Sequence, residues 1–181
     1  MAPSAFLAIM GSLASGVSVV TALDASGRPH GLTSSSVCSV SKDPPLLLFC
    51  VRQVSSTLDA IRETGGFAVN FLDADGHEIS DLFASYNSDK FANVAWRPGD
   101  VAGMPRLEPT VAFTECALHD VITAGDHVIV LGRLVGGATA PDRFPLGYWR
   151  GTYVRVSHPH YRREERNGQR PSDPSQSIHL E

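Results

Sequence analysis

Short apolar runs cut by sharp turn signals constrain this chain most. Residues 17–23 are dense in Val and Thr and read as a strand. Asp24-Ala25-Ser26-Gly27 has the composition of a hairpin turn. Residues 29–40 return as a second strand. Asp43-Pro44-Pro45 stops it, because proline fixes φ and offers no N–H to a ladder. Residues 46–51 are a continuous apolar run, the pattern of a core strand. Strands joined this tightly pair antiparallel.

The second of these runs is unusual. Thr33, Ser34, Ser35, Ser36, Ser39 and Ser41 crowd hydroxyls into an otherwise apolar stretch. Hydroxyls in a half-buried strand need polar partners. Local backbone can satisfy some of them. The sharper reading is a site for a flat, polar, phosphate-bearing ligand. Downstream, Ser55, Ser56 and Thr57 open a helical pattern that runs to about Thr64, with Leu58 and Ile61 inward. Free N–H groups and hydroxyls at a helix start suit an anion. A plain N-cap would need one of the three.

Gly65-Gly66 stops that helix. Residues 67–72 read as a strand and 75–85 as a helix with Ile79, Leu82 and Phe83 as its apolar stripe. Residues 87–109 are rich in Gly and Pro, a long ordered loop or a pair of short elements. Residues 110–122 and 127–136 are long strands around a tight Ala124-Gly125-Asp126 hairpin. Residues 147–156 form a last strand. Six or seven mostly antiparallel strands with two or three short helices predict a mainly β chain, closed or split as a barrel. Residues 1–156 form one domain. From residue 157 to 181 the chain is polar, a tail that is flexible or docked on a partner subunit.

The N-terminal run of residues 2–23 carries no charge. It lacks a preceding basic stretch, and Gly and Ser dilute it below a spanning helix, so neither a signal peptide nor a membrane span is expected. A short helix capped by Ser4 fits better, with Phe6, Ile9, Met10 and Leu13 on one face. The net charge of −4 argues against nucleic acid or an anionic membrane as partner. Cys38, Cys50 and Cys116 have neither metal nor redox-motif spacing and read as small buried hydrophobes in a reducing, cytoplasmic compartment. No metal site is expected. His158 and His160 are read as part of the solvated tail. The glycines at 132–137 lack dinucleotide-fold spacing, and no Gly-x-Ser-x-Gly motif supports a serine hydrolase.

An ordered set of motifs resembles the short-chain flavin reductase family. It comprises Gly16-Val17-Ser18-Val19-Val20-Thr21, His30-Gly31-Leu32-Thr33, Ser39-Val40-Ser41 with Asp43-Pro44-Pro45-Leu46, and Ser55-Ser56-Thr57-Leu58. Phe67-Ala68-Val69-Asn70, Asp89-Lys90-Phe91, Gly125-Asp126-His127 and Arg150-Gly151-Thr152-Tyr153 complete it. The resemblance runs from about Phe6 to Val156. It implies an FMN-binding split β-barrel, antiparallel and Greek-key-like, working as a homodimer. It implies an NAD(P)H:flavin oxidoreductase that reduces FMN or FAD with NADH or NADPH and supplies a separate flavin-dependent monooxygenase.

By that resemblance Thr33, Ser34, Ser35, Ser36, Val37, Ser39 and Val40 would hold the isoalloxazine ring and ribityl chain. Ser55, Ser56 and Thr57 would take the phosphate end. Phe83, Ala84 and Lys90 would close the site. His127 would sit beside the nicotinamide as the catalytic residue, with Arg150 and Tyr153 nearby. Ser35-Ser36-Val37 departs from the family's usual aromatic, which implies a roomier flavin pocket. The basic residue common in the family's first helix is also missing. Hydride transfer from nicotinamide C4 to flavin N5 needs no metal and no nucleophile. It needs two flat rings stacked at near-attack distance and donors where charge grows, at flavin N1 and O2. The alternatives are a flavin carrier of the same fold without turnover, or a split-barrel flavin oxidase or monooxygenase.

Overall fold

The computed structural model describes residues 1–87 and 89–156. The expected tail, with His158 and His160, lies outside the described residues. In chain order the elements are α1 (Pro3–Met10), β1 (Ser15–Gly16), β2 (Ser18–Leu23), β3 (Pro29–Ser34), β4 (Cys38–Lys42), β5 (Pro45–Arg52), α2 (Ser56–Thr64) and β6 (Gly66–Leu72). Then come α3 (His77–Ala84), β7 (Trp96–Pro98), β8 (Pro105–Leu107), β9 (Thr110–Ala124), β10 (His127–Thr139), β11 (Leu146–Trp149) and β12 (Thr152–Arg155).

The main sheet has seven strands in the order β3-β2-β6-β9-β10-β5-β4, and its pairs are antiparallel. Its inward face packs Val20, Phe49, Val51, Phe67, Val69 and Val130 against Leu58 and Ile61 of α2. Each such side chain contributes roughly 1.5–3 kcal/mol by leaving water. Close packing extends to backbone. A Cβ at Gly132 would stand 2.2 Å from the Phe67 ring, so only hydrogen fits where β10 passes under it.

Consecutive strands β3 and β4 occupy opposite edges of this sheet. The expected single strand over residues 29–40 is therefore two strands, and residues 35–37 carry the chain across between them. The hydroxyls stabilise that crossing. Ser36 Oγ accepts the Cys50 N–H at 2.8 Å and lies 3.0 Å from Ser34 Oγ. This clasp holds the two edges together at the split of the barrel. Period-two patterning missed the break because Ser-Ser-Ser has no apolar residue to reverse its phase.

The expected last strand over residues 147–156 is likewise a hairpin. β11 and β12 turn on Arg150 (φ 50°) and Gly151 (φ 79°), the doubly left-handed geometry of a two-residue loop. With β1 they make a three-stranded sheet. Residues 87–109 hold the short β7–β8 pair, one of the two expected forms.

Two buried polar residues of the main sheet have their partners in the loop that crosses it. Glu115 on β9 is buried and accepts N–H bonds from Val101 (2.8 Å), Ala102 (2.9 Å) and Met104 (3.1 Å), which fix that loop. Asn70 is buried on β6 and accepts the Leu107 N–H at 2.8 Å.

The helices differ in how they end. α2 begins on Ser55, whose Oγ accepts the Leu58 N–H, and stops at Gly65 in the left-handed region, whose N–H returns to Ile61 O at 2.8 Å. α1 has no side-chain cap. It begins with Pro3 behind Ala2, so Ser4 is not its cap. It also buries no residue, and Phe6, Ile9, Met10 and Leu13 are exposed. Among the described residues no helix is long and apolar enough to cross a membrane.

Candidate ligand-binding cleft

A cleft of about 560 Å3 runs beside β3, the edge strand of the main sheet. Four segments wall it: residues 29–33 of β3, residues 50–52 and 54–57 from the end of β5 into α2, residues 83–87 with 90 and 91 from the end of α3 onward, and His127 at the start of β10. Eight of the sequence-predicted site residues meet there: Thr33, Ser55, Ser56, Thr57, Phe83, Ala84, Lys90 and His127.

The α2 end is built for an anion. Ser55 Oγ is engaged by the Leu58 N–H, and Asp59 N–H bonds Ser55 O. The Ser56 and Thr57 N–H groups begin the helix, where no preceding turn can accept them. Both residues line the cleft at the positive end of the helix. Arg52 lines the same end, directly opposite His127 across the β5–β10 ladder.

His127 Nδ1 lies 2.8 Å from Asp126 Oδ1. That side-chain hydrogen bond, with the imidazole charge, holds the Asp126 carboxyl below its ordinary range. An ionised carboxylate only accepts, so Nδ1 carries the proton it donates and Nε2 is the free nitrogen.

Lys90 closes the other side. Its Nζ donates to Phe83 O at 2.7 Å and Gly31 O at 3.3 Å. Burial pushes its pKa below the ordinary 10.5. Phe83 and Phe91 meet edge to face at 5.0 Å and give that wall an aromatic surface. Gly31 is required by this contact, since a Cβ there would stand 2.5 Å from the Phe83 ring.

The other predicted residues lie elsewhere. Ser34 and Ser36 belong to the clasp at the split. Ser35 is exposed on the crossing, and Val37 is half-buried against the core. Ser39 and Val40 are exposed on the edge strand β4. Arg150 sits in the β11–β12 turn with its guanidinium 4.7 Å from the Trp149 ring. The Tyr153 hydroxyl donates to Asp81 Oδ1 at 2.6 Å and lies 2.9 Å from Ser80 Oγ, on α3. Burial and the Asp81 bond raise its pKa.

Sequence reasoning missed His30, Cys50, Arg52, Tyr86, Asn87 and Phe91, all on the cleft wall. Arg52 had a usable signal, a cation just before a Ser-rich helix start. The cysteines also separate: Cys38 is exposed, against expectation, Cys50 is half-buried, and Cys116 is buried with its thiol pushed up to about 12. Among the described residues no group of side chains could hold a metal ion.

The charge of the cleft decides what it suits. The chain is acidic, yet among the described residues no Asp or Glu lines this cleft, while Arg52 and Lys90 do. A second concavity of about 290 Å3 is the opposite case. There Arg143 bonds Asp73 at 3.1 Å and Arg155 pairs with Asp75, so its cations are neutralised. A cationic, hydroxyl-bearing cleft with an aromatic wall fits a flat ligand with an anionic end.

Comparisons with known proteins find flavin reductases. A family profile described as "Flavin reductase like domain" matches residues 10–157. "Flavin reductase (NADH)" from Kitasatospora aureofaciens is 47% identical over 152 residues, 83% of this chain and 80% of that protein. A flavin reductase from Rhizobium meliloti is 42% identical, and the chain spans 48% of its length. Nitrilotriacetate monooxygenase component B from Mycobacterium thermoresistibile superposes with a TM-score of 0.81 at 34% identity, covering 98% of this chain and 96% of that one. The NADH:FAD oxidoreductase of Streptomyces globisporus, solved with NAD and FAD fragments, gives 0.79 at 32% identity, covering 85% and 92%.

Proposed function

The chain belongs to the flavin reductase-like domain family, and from that premise we propose that it is an NAD(P)H:flavin oxidoreductase. The observation that carries this reading is a cleft in an acidic chain that no carboxylate among the described residues lines, with a helix N-terminus at one end and Lys90 at the other. When bound, reduced nicotinamide supplies a hydride and oxidised FMN or FAD accepts it. The protein's part is positioning and electrostatics. The N–H and hydroxyl groups of Ser56 and Thr57, helped by Arg52, hold the phosphate end. Thr33 and the Phe83–Ala84 wall orient the flat ring. Thr33 itself is fixed by its hydroxyl, which donates to Ser80 O at 2.6 Å. Lys90 places positive charge beside β3 and offsets negative charge as it develops in the cleft. His127, held by Asp126, presents Nε2 for the nicotinamide carboxamide.

In this reading residues 1–156 act as one cytoplasmic domain and supply reduced flavin to a separate monooxygenase. The component B relative supports that partner. The three free cysteines suit a reducing compartment. The unburied apolar face of α1 supports a homodimer. Anaerobic mixing of protein, NADH or NADPH and excess FMN or FAD tests the reading through absorbance at the nicotinamide and flavin bands. Stoichiometric bleaching of both is expected. Flavin binding without oxidation of either nicotinamide would sink the reductase reading and leave a carrier. His127→Ala should raise KM for the nicotinamide several-fold more than KM for flavin.

A further inference from the structure

His30 is a wall residue of the cleft that the reading above does not use, and a carboxylate orients its ring. It lies on β3, half-buried, with Nε2 2.9 Å from Asp24 Oδ2. Asp24 opens the β2–β3 turn. Its Oδ1 accepts the Ser26 N–H at 2.9 Å, the Ser26 hydroxyl at 2.6 Å and the Arg28 N–H at 2.9 Å. Three donors on one oxygen close the turn without the imidazole. Support therefore runs from the turn to the ring: Oδ2 is left aimed at His30.

The tautomer follows. Donors from Ser26, His30 and Arg28 hold the Asp24 carboxyl far below its ordinary range, so it stays ionised and only accepts. Nε2 must carry the shared proton, and Nδ1 of the neutral ring is a lone pair. Among the described residues Nδ1 has no hydrogen-bond partner, and the ring lines the cleft. A carboxylate-anchored imidazole on the wall of a cleft, with an unpartnered ring nitrogen, can accept a hydrogen bond from a ligand O–H.

We propose that His30, oriented by Asp24, is a recognition residue that accepts a hydrogen bond from a sugar-type hydroxyl of the bound ligand. This rests on the flavin reductase reading of the cleft. The hydroxyl belongs either to the ribityl chain of the flavin or to a ribose of the nicotinamide dinucleotide. The chemistry is the same and the experiment separates them.

The test uses steady-state kinetics of the full chain with His30→Ala, His30→Gln and Asp24→Asn, alongside thermal unfolding. Turnover by the wild-type chain is read first. Its absence refutes the reductase reading on which this inference rests, whereas variant effects test the inference alone. Loss of the hydrogen bond in His30→Ala should raise one KM about tenfold with kcat changed less than threefold. His30→Gln, which keeps an acceptor, should recover part of it, and Asp24→Asn should fall between. If the flavin KM rises with FMN but not with lumiflavin, which has no ribityl chain, the partner is the ribityl hydroxyl. A rise in nicotinamide KM alone assigns it to the ribose. A purely structural hairpin lock would lower the unfolding midpoint and leave both KM values alone. If KM values for both substrates stay within twofold of wild type in His30→Ala, or in His30→Gln should the alanine variant fail to fold, the proposal is overturned.

Discussion

Two hydroxyl-rich segments of this chain use their oxygen atoms differently. In residues 33–36 all but the exposed Ser35 have protein partners: Thr33 donates to Ser80 O, and Ser34 and Ser36 form the clasp on Cys50. In residues 55–57 one hydroxyl caps α2, and the other two residues line the cleft. Identical side chains thus close a barrel in one place and open a binding site in the other. What separates them is the neighbouring backbone. A strand edge offers matched donors and acceptors, so its hydroxyls find protein partners. A helix N-terminus offers only donors, so it is left wanting an anion.

The sharpest way to break the contrast is on the cleft side. Ser56→Ala combined with Thr57→Val should weaken FMN binding about thirtyfold, roughly 2 kcal/mol, because hydrogen bonds to a charged group are the stronger kind. Riboflavin, lacking the phosphate, should bind the variant and wild type alike. Equal losses for both ligands in fluorescence titrations would remove the phosphate from this site. On the clasp side, Ser36→Ala should cost about 1–2 kcal/mol by stranding the Cys50 N–H. The expected drop in unfolding midpoint is about 3–6 °C at this chain length, with FMN affinity moved less than the phosphate-end variant moves it.

Ser55→Ala should cost about 1 kcal/mol as a lost N-cap, read by calorimetry. The smallest effect concerns Lys90. Its pKa is lower in the folded chain than the ordinary 10.5 because burial disfavours its charge. Between the folded and unfolded values the unfolded chain binds more protons, so stability rises with pH. Wild type should therefore gain stability relative to Lys90→Met as pH climbs toward 10.5, and reaches a plateau above it. Parallel stability–pH curves would show that Lys90 is not desolvated.

Much of the fold was legible because turns and apolar runs are local. Asp24-Ala25-Ser26-Gly27, Gly65 and Ala124-Gly125-Asp126 all mark real chain reversals or helix ends. Residues 35–37 were not legible, since a serine triplet fits a strand, a crossing or a cap equally. The inserted turn at Arg150-Gly151 was hidden for a related reason: Arg in a left-handed conformation carries no compositional flag. The same limit shaped the site. Its helix N-terminus is a local motif and could be read from residues 55–57. His30 and Arg52 become wall residues only when β3 and the end of β5 face one cleft, and that is a fact of strand order. For α1 the periodicity gave the helix and its apolar face but not what covers that face. An apolar stripe states that something covers a face, and in this chain the helix buries none of it.

The clasp at the split also makes the Cys50 amide a reporter. That N–H faces the side of β5 on which β4 has already ended, and its acceptor is a hydroxyl rather than a ladder carbonyl. Its exchange with deuterated solvent is therefore gated by parting of the two sheet edges. Amides of β5 paired into β10 wait for larger openings. A single resolved resonance would then measure the free energy of opening the barrel, and its slowing on ligand addition would give the share of binding that keeps the seam shut.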